Sequence, residues 1–555
     1  MSRLDDAARA WLAEDPDPDT RAELAALIGL AESGDATASA ELADRFGSRL
    51  EFGTAGLRGA LGPGPNRMNR AVVLRAAAGL ASYVQARGGT SIVIGYDARH
   101  KSDVFARDTA SVVAGFGLTA LLLPRPLPTP VLAFAIRHLA ASAGVMVTAS
   151  HNPPQDNGYK VYLSDGGQIV PPADTEISAE IIAVGSLASI QRSNDVTVLD
   201  DSVLDAYLTA VSSMPLLREL PSRDIRIVYT PLHGVGRDVV VAAFSRAGFP
   251  ALDVVSRQAE PDPDFPTVVF PNPEEPGAID LAIAAARASS AEIVLANDPD
   301  ADRCAMAVPT GAGRWRMLRG DEVGVLLADF LLRNKVHGRY ATTIVSSSLL
   351  SAMAARHGMV YSETLTGFKW IVTSGDDLVF GYEEALGYCV APDLTRDKDG
   401  ISAALLLALL AANLKAQGSS VLGRLDEIAR DYGLFATDQL SIRVADLAQI
   451  TAAVERLRAH PPQSLGGLRV VSVEDLAVGP GGLPPTDGLR YRLDGSSRGQ
   501  GAARVVVRPS GTEPKLKGYL EVVVPVRNSV PDARAIAREQ LDALRDDLAK
   551  VLGLN

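Results

Sequence analysis

Short apolar runs rich in β-branched residues alternate along most of the chain with longer stretches rich in Ala and Leu. Typical runs are residues 91–95, 144–147, 225–229, 292–296 and 378–380, and each is followed by a polar or glycine-rich turn. The short runs predict strands, and the Ala- and Leu-rich stretches predict helices. Strands that alternate with helices favour βαβ units with largely parallel sheets, which bind ligands at the carboxyl ends of their strands.

The pattern changes near residue 435, where strands become frequent before a final helix near residues 531–551. This change predicts a separate α+β domain. An acidic segment with Ser and Pro around residues 196–222 is a predicted linker, and a Gly-rich turn at residues 309–320 precedes the next helix. The total of 555 residues suits about three to four domains of ordinary size.

Composition excludes several classes of protein. With 47% hydrophobic and 22% charged residues the chain is neither disordered nor fibrous, and its net charge of −12 argues against a nucleic-acid or anionic-membrane binder. Two cysteines, Cys304 and Cys389, are too few for a disulfide framework or a four-thiolate zinc site. The longest apolar stretch, residues 401–412, predicts a buried helix, and the acidic N-terminus is unlike a signal peptide. We expect a cytoplasmic protein.

Three carboxylates at alternate positions, Asp298, Asp300 and Asp302, directly follow a predicted strand. Such a turn can direct carboxylate oxygens to one side, and oxygen ligands are those that Mg²⁺ prefers. An EF-hand calcium loop is excluded, because Arg303 and Pro309 stand where that loop needs Gly and Glu. The spacing alone leaves a solvated acidic turn as the alternative to a magnesium site.

A hydroxyl and an imidazole are adjacent in residues 148–153, which read T-A-S-H-N-P. Ser150 can carry a phosphoryl group where a cation neutralises the phosphate and a nearby group manages the proton. His151 and Lys160 are the local candidates for these tasks. Taken alone, such a segment is more often a serine turn that begins a helix than a nucleophile.

Two further polar loops carry groups suited to a sugar phosphate. Residues 508–515 read R-P-S-G-T-E-P-K and can surround a phosphate with Arg, hydroxyl and backbone N–H donors, although they do not form a P-loop. Residues 381–387 read G-Y-E-E-A-L-G and can present a carboxylate to sugar hydroxyls. Each loop alone is also compatible with an ordinary turn.

Together these segments resemble the α-D-phosphohexomutases, the phosphoglucomutase and phosphomannomutase superfamily. The resemblance extends from Phe52 to Tyr519, and four motifs in the family's order are far more specific than any one of them. The motifs are the phosphoserine loop at 148–153, the metal loop at 298–303, the sugar loop at 381–384 and the phosphate loop at 508–514.

One position departs from the common family pattern, because Ala385 stands where many members have Ser. This feature and a predicted long N-terminal helix that contains Trp11 and continues through residue 19 resemble the branch related to phosphopentomutase and glucose-1,6-bisphosphate synthase. That branch also contains bacterial phosphoglucomutases and phosphomannomutases. The resemblance therefore specifies the class of reaction but leaves several sugars open as the substrate.

The resemblance implies an α/β fold, with three related α/β domains that have mixed, largely parallel sheets and a C-terminal α+β domain, around a central cleft. The first domain would include an N-terminal helical extension. In chain order the implied domains would carry the phosphoserine loop, the metal site, the sugar loop and the phosphate loop, at residues 1–205, 206–318, 319–436 and 437–555.

The resemblance also implies roles for individual residues. Ser150 would carry the transferable phosphate and complete an Mg²⁺ site formed by Asp298, Asp300 and Asp302. The other implied catalytic residues are Arg58, His151, Lys160 and Lys369. The implied substrate-binding residues are Arg303, Glu383, Glu384, Arg508, Ser510, Gly511, Thr512 and Lys515.

The implied activity is the interconversion of hexose 1-phosphate and hexose 6-phosphate through a phosphoserine and a sugar bisphosphate, with glucose as the first choice and mannose as the second. One Mg²⁺ per chain, a sugar 1,6-bisphosphate activator and a monomer or homodimer are expected. The expected partner is a small phosphosugar, without nucleic acid or membrane.

Other readings remain open. Within the family, the alternatives are a phosphopentomutase, a hexosamine-phosphate mutase or a glucose-1,6-bisphosphate synthase. From a different class comes a Mg²⁺-dependent sugar-phosphate phosphatase, which would release free phosphate. A non-catalytic sugar-phosphate binder would have lost the serine or an aspartate, whereas all of them are present.

Overall fold

The chain folds, in a computed structural model, into two compact units. The first contains residues 1–318 and 387–413, and the second contains residues 319–386 and 414–555. Each unit is described by itself below. The structure describes residues 3–53, 56–444, 447–495, 501–510 and 515–553.

Three helices precede the first sheet: α1 (Arg3–Glu14), α2 (Pro18–Glu32) and α3 (Ala36–Gly47). The prediction of one long helix around Trp11 is wrong, because α1 ends at Glu14 and α2 begins at Pro18. Proline lacks the N–H group that a helix interior needs and disfavours helical geometry in the residue before it, so Pro16 and Pro18 separate the two helices. The helices pack around a small core of Ala8, Leu24, Ile28 and Leu42.

The first sheet has the strand order β1-β5-β4-β2-β3-β6. Its strands are β1 (Leu57–Ala60), β2 (Ser91–Tyr96), β3 (Thr119–Leu122), β4 (Ala143–Val147), β5 (Asp156–Leu163) and β6 (Val196–Val198), and its helices are α4 (Arg70–Ala86), α5 (Ser102–Gly115), α6 (Thr129–His138) and α7 (Ala173–Ala183). β2, β3, β4 and β6 run parallel, whereas β5 is antiparallel to β1 and β4. The carboxyl ends of β2 and β4 lead directly into the loops at residues 97–101 and 148–155.

The second sheet has the order β11-β10-β9-β7-β8. Its strands are β7 (Ile227–Thr230), β8 (Asp253–Val254), β9 (Ile293–Ala296), β10 (Ala305–Gly311) and β11 (Arg314–Met317), with helices α8 (Ser202–Ser212), α9 (Pro215–Glu219), α10 (Arg237–Arg246) and α11 (Asp280–Ser289). β7 is parallel to β8 and β9. The segment 196–222, predicted to be a linker, instead holds β6, α8 and α9, since buried apolar side chains of α8 and α9 pack into the unit.

Residues 319–386 form an α/β region, which is the first part of the second unit. Its elements are α12 (Gly320–Arg333), β12 (Arg339–Thr343), α13 (Leu349–His357), β13 (Val360–Thr364), α14 (Phe368–Val372) and β14 (Leu378–Glu383). β12 is parallel to both β13 and β14. The end of β14 carries the predicted sugar loop.

The chain then returns to the first unit with β15 (Gly387–Cys389) and α15 (Gly400–Ala416). Residues 401–412 are all buried, which confirms the prediction of a buried helix. Among the described residues no single helix is long and apolar enough to cross a membrane. α15 and α16 (Val421–Tyr432) reach the required length and composition only as a pair, which is bent by 88°.

The last part of the second unit is an antiparallel sheet covered by helices. Its elements are β16 (Leu434–Arg443), α17 (Leu447–Ala459), β17 (Ser464–Leu465), β18 (Leu468–Asp475), β19 (Leu489–Asp494), β20 (Ala503–Pro509), β21 (Lys515–Val524) and α18 (Val530–Leu552), with the strand order β16-β21-β20-β19-β18-β17. α18 packs on β16 and β21. The predicted α/β class and the C-terminal α+β domain are confirmed, whereas the four domain boundaries stay predictions.

Candidate active site

The three predicted metal ligands lie in one tight turn after β9. Asp298, Asp300 and Asp302 are all fully buried, and one carboxylate oxygen from each lies within 4.8 Å of those of the other two. Ala301 adopts a left-handed conformation with φ of 54°, which reverses the chain between the second and third carboxylates. The backbone N–H of Arg303 closes the turn by donating to Asp298 Oδ1 at 3.0 Å.

The predicted phosphoserine loop follows β4 and reaches the metal turn. Ser150 has a left-handed backbone with φ of 53°, and its N–H donates to Thr148 Oγ1 at 2.9 Å. Ser150 Oγ donates to Asp298 Oδ2 at 2.6 Å and lies 3.1 Å from His151 Nδ1. Two motifs 148 positions apart in the chain therefore meet at one buried hydroxyl.

Cationic side chains surround this hydroxyl and the carboxylates. Lys160 of β5 places Nζ 2.8 Å from Asp300 Oδ2 and 3.0 Å from Asp302 Oδ2. Arg303 Nε lies 3.9 Å from an oxygen of Asp298. Arg58 of β1 donates to Asn152 Oδ1 at 3.2 Å, beside the serine loop.

The carboxylates of the metal turn differ in their affinity for protons. Burial and the two neighbouring carboxylates raise the pKa of Asp298 above its usual value. Burial acts in the same direction on Asp300 and Asp302, but Lys160, together with Thr129 at Asp300 and with Lys398 and Arg303 at Asp302, outweighs it and lowers the pKa of both. Asp300 and Asp302 are therefore charged, and their charge is compensated by a buried lysine.

Burial also acts on the basic groups. It lowers the pKa of His151, and the charges of Arg303 and Arg58 lower that pKa further, so the imidazole is neutral. Burial alone would lower the pKa of Lys160, but the carboxylates of Asp300 and Asp302 reverse the effect and raise it. The lysine is therefore held in its charged form beside the carboxylates.

The donor set fits a hard divalent cation. All the candidate ligand atoms are oxygens, and Oδ1 of Asp300 and Oδ1 of Asp302 are buried without a hydrogen-bond partner in the described part of the chain. Buried carboxylate oxygens are costly to leave unpaired, and a cation would satisfy both. Ser150 Oγ, bonded to Asp298, stands where a phosphoryl oxygen could add a further ligand.

Two residues that the sequence did not identify complete this site. Lys398 Nζ lies 3.0 Å from Asp302 Oδ2, and Thr129 Oγ1 donates to Asp300 Oδ2 at 2.6 Å. Neither residue follows an apolar strand in the sequence, so the pattern used for the other residues passes over them. A usable signal is the charged triplet 397–399 directly before the most apolar stretch of the chain, since such charges are buried with the helix they precede.

The predicted sugar-loop residues lie in the second unit. Glu383 ends β14, and the next residue, Glu384, accepts hydrogen bonds from Ser346 Oγ at 2.9 Å and from Thr343 Oγ1 at 3.4 Å. Burial raises the pKa of Glu384. Lys369 lies on α14 with Nζ 6.0 Å from the ring centroid of Trp370. The roles predicted for these residues stay predictions.

The predicted phosphate loop also lies in the second unit. Arg508 lies near the end of β20, and Ser510 N donates to the carbonyl oxygen of Lys515, the first residue of β21, at 2.8 Å. The two strands therefore hold the cations at either end of the loop. Gly511 and Thr512 lie outside the described residues.

The chain matches all four domains of one family in order. They are the phosphoglucomutase/phosphomannomutase alpha/beta/alpha domains I, II and III at residues 49–187, 205–311 and 319–430, and the C-terminal domain at residues 440–527. Each of the four predicted motifs falls within a different one of these matches.

The names of similar proteins refer to three different kinds of sugar. A Haemophilus influenzae protein named "Probable phosphomannomutase" is 48% identical and aligns over 82% of this chain and 93% of its own length. Human phosphopentomutase is 36% identical over 96% of this chain and 93% of its own length. A Staphylococcus aureus phosphoglucomutase is 34% identical over 87% of this chain and 92% of its own length.

A solved structure agrees with these relatives. The structure from Thermus thermophilus, described as a phosphomannomutase, superposes with a TM-score of 0.72 at 27% identity and covers 91% of this chain and 99% of that one. Since the four family domains match in order and the relatives align over most of both chains, this chain belongs to the phosphoglucomutase/phosphomannomutase family of sugar-phosphate mutases.

Proposed function

We propose that this chain interconverts hexose 1-phosphates and hexose 6-phosphates, with glucose as the first choice and mannose as the second, through a phosphoryl group carried on Ser150. The observation that carries the proposal is Ser150 Oγ, 2.6 Å from Asp298 Oδ2 and 3.1 Å from His151 Nδ1. Three buried carboxylates, one of which accepts a hydrogen bond from this hydroxyl, are costly as a purely structural arrangement. They suit a serine whose phosphate completes a metal site.

Charge neutralisation is the main task of the residues around Ser150. Asp298, Asp300 and Asp302 would hold one Mg²⁺ with a phosphoserine oxygen, and the bound ion would neutralise part of the phosphate charge. Arg303 and Lys160 supply permanent positive charge on the protein side. Phosphoryl transfer needs mainly positioning and neutralisation, so these groups provide most of what the reaction requires.

Each transfer also moves one proton. As the bond from phosphorus to Ser150 Oγ breaks, a bond from phosphorus to a sugar hydroxyl oxygen forms; that hydroxyl releases its proton and Oγ receives one. His151, neutral and 3.1 Å from Oγ, is placed to exchange a proton with the serine. Arg58 would stabilise the phosphate, and the family resemblance assigns Lys369 to proton transfer or to contact with the substrate.

The second unit would bind the rest of the sugar phosphate. The sugar bisphosphate formed in the first transfer must return its other phosphate to Ser150, so a sugar 1,6-bisphosphate would also activate the unphosphorylated enzyme. A cytoplasmic location and a monomeric or homodimeric state belong to the same proposal. Sugar hydroxyls are assigned to Glu383 and Glu384, and the non-reacting phosphate is assigned to Arg508, Ser510, Gly511, Thr512 and Lys515.

Replacement of Ser150 tests the proposal. We expect Ser150→Ala to reduce mutase turnover below about a thousandth of wild type, because the variant lacks the hydroxyl that would carry the phosphoryl group. The variant should also take up no phosphate from a labelled sugar 1,6-bisphosphate. Ser189→Ala, which removes an exposed hydroxyl from the same unit, is the matched control. Turnover above that level in Ser150→Ala would contradict the phosphoserine assignment.

A phosphopentomutase is the second candidate, favoured by the similarity to the human enzyme over nearly the whole chain. A coupled assay with Mg²⁺ and a catalytic amount of sugar bisphosphate should compare kcat/KM for the phosphates of glucose, mannose, glucosamine and ribose. We expect the highest value for a hexose phosphate. A preference for ribose phosphate by more than about tenfold, or about 1.4 kcal/mol, would replace the hexose assignment.

A further inference from the structure

The loop after β2 contains a buried arginine, Arg99, whose two terminal amino groups donate to main-chain carbonyl groups of the serine loop and the start of β5. The side chain of Arg99 is 1% exposed. Its Nη2 donates to the carbonyl oxygens of Ser150, at 2.6 Å, and Asn152, and its Nη1 donates to those of Pro153 at 2.9 Å and Asp156 at 3.1 Å. One guanidinium therefore holds four carbonyl groups of the segment that carries Ser150.

The Arg99 side chain also has partners outside the serine loop, namely Asp97 and Phe265. Asp97 places Oδ2 3.4 Å from Arg99 Nε, and Asp97 Oδ1 accepts hydrogen bonds from the Arg99 N–H at 3.0 Å and from Ser102 Oγ at 2.6 Å. The ring of Phe265 lies 4.9 Å from the centre of the guanidinium. A charge buried this deeply is maintained only where its partners are well placed, and here most of them are main-chain atoms of the serine loop.

Ser150 needs such support because of its backbone conformation. Residues other than glycine disfavour the left-handed region that Ser150 occupies, with φ of 53°. In this conformation Ser150 Oγ donates to Asp298, while the carbonyl oxygen of the same residue accepts from Arg99.

We propose that Arg99 is a positioning residue, which holds the serine loop in the conformation that directs Ser150 Oγ to the metal turn. The inference rests on the proposed function, since it assigns a purpose to the position of Ser150. Arg99 bonds to no side chain of the metal turn and to no predicted sugar-binding residue among the described residues. Its loss should therefore slow phosphoryl transfer without weakening the binding of metal or sugar phosphate.

The test is Arg99→Lys, since an ammonium group keeps the charge but cannot span four carbonyl groups. We expect kcat to fall about a hundredfold or more, as for a reacting group displaced by about 1 Å. KM for the hexose phosphate and the Mg²⁺ concentration for half-maximal activity should change by less than about threefold, and the melting temperature by only a few degrees. Arg107→Lys is the matched control, because Arg107 is exposed on α5 and pairs only with Asp103 at the surface.

The other possible results distinguish a failure of the inference from a failure of the proposed function. If Ser150 is phosphorylated in the wild-type enzyme and Arg99→Lys keeps the wild-type kcat, the inference is wrong and the proposed function stands. If Ser150 is never phosphorylated during wild-type turnover, the proposed function and the inference fail together. Arg99→Gln, which keeps two N–H donors without the charge, should show the same loss of kcat at unchanged KM. Unfolding of both variants would assign Arg99 to stability and overturn the inference.

Discussion

The carboxylates at Ser150 are buried together with cations that come from separate parts of the chain. Lys160 lies on β5, Arg303 follows the metal turn directly, and Lys398 lies in the segment that returns to the first unit. Buried charges of this kind are stable only in combination, because removal of one partner leaves the other without compensation. The effect of each residue should therefore exceed that of a surface ion pair.

Replacement of Lys398 tests how much one of these buried cations contributes to turnover. We expect Lys398→Met to lower kcat by about a hundredfold, because the Asp302 carboxylate would lose a cation 3.0 Å away and with it part of the positive charge at the site. Steady-state kinetics at saturating Mg²⁺ measure the effect. Lys550→Ala, an exposed lysine on α18, should leave kcat unchanged, and wild-type turnover in Lys398→Met would remove that residue from the site.

The raised pKa of Asp321 predicts that the stability of the second unit depends on pH. Burial raises its pKa from 3.8 to about 6, while the Ser347 N–H and Tyr382 hydroxyl donate to its Oδ1 and Glu521 lies nearby. Because the folded state holds the proton more tightly, the stabilising contribution is complete below about pH 4 and is lost as the pH rises through 6. The contribution amounts to about 3 kcal/mol at most.

The measurement is the melting temperature of Asp321→Asn relative to wild type between pH 4.5 and pH 7.5. The variant cannot ionise at this position, so its relative melting temperature should rise with pH. Glu455→Gln, which changes an exposed carboxylate on α17, should show no such trend. A difference that stays constant with pH would show that Asp321 does not titrate in this range.

Local sequence was sufficient for some site residues and insufficient for others. Ser150 and the three aspartates each lie in a polar turn directly after an apolar strand, so their positions at strand ends follow from pattern alone. Lys398 and Thr129 act through partners 96 and 171 positions away, and no local pattern contains that information. The roles implied for Lys369 and Glu383 rest on resemblance and stay predictions.

At the scale of elements, the beginning of α6 holds the metal turn from a different sheet. The Thr129 N–H donates to the Asp300 carbonyl oxygen at 3.0 Å, and its hydroxyl donates to the Asp300 carboxylate at 2.6 Å. Helix and turn are therefore linked through backbone and side chain at once. Since Oδ2 of Asp300 is occupied by Thr129 and Lys160, Oδ1 is the oxygen left for a metal ion.

Thr129→Val tests this link. The valine has nearly the same shape but no hydroxyl, so Asp300 loses one of the donors that orient it. Groups that orient a metal ligand commonly account for tenfold or more in metal affinity. We expect the dissociation constant for Mg²⁺, from calorimetric titration, to rise about tenfold. Thr129→Ser retains the hydroxyl and should remain within about twofold of wild type, and equal affinities in all three proteins would contradict the proposed link.

Elements were predicted well where hydrophobic periodicity was strong. The runs at 91–95 and 292–296 correspond to β2 and β9, and the final helix corresponds to α18. The errors arose where composition was used in place of periodicity. The acidic segment around 196–222 was interpreted as a linker, although its apolar positions pack in α8 and α9, and the N-terminal helix was extended through prolines that divide it.

At the scale of the whole molecule, the residues that would hold the metal and the phosphoserine all belong to the first unit, whereas the predicted sugar-binding carboxylates belong to the second. Metal binding and sugar recognition should therefore respond to different substitutions. The implied domains already separated the metal site from the sugar loop, whereas the grouping of residues 387–413 with residues 1–318 follows only from the contacts within the first unit.

Two variants of the full-length protein test that separation. We expect Glu383→Gln to raise KM for the hexose phosphate about tenfold, because a charge-assisted hydrogen bond becomes a neutral one, and to leave Mg²⁺ affinity within about twofold of wild type. Asp302→Asn should abolish measurable Mg²⁺ binding. Calorimetry and steady-state kinetics on both proteins provide the comparison, and a loss of Mg²⁺ binding in Glu383→Gln would contradict the separation.

The first unit is discontinuous in the chain, and this has a consequence for its synthesis. Residues 319–386, which belong to the second unit, must leave the ribosome before the segment 387–413 that completes the first. Until then the Asp302 carboxylate lacks Lys398, and the first unit lacks the buried apolar residues 401–412 of α15. The first unit can therefore finish folding only after residues 319–386 of the second have been made.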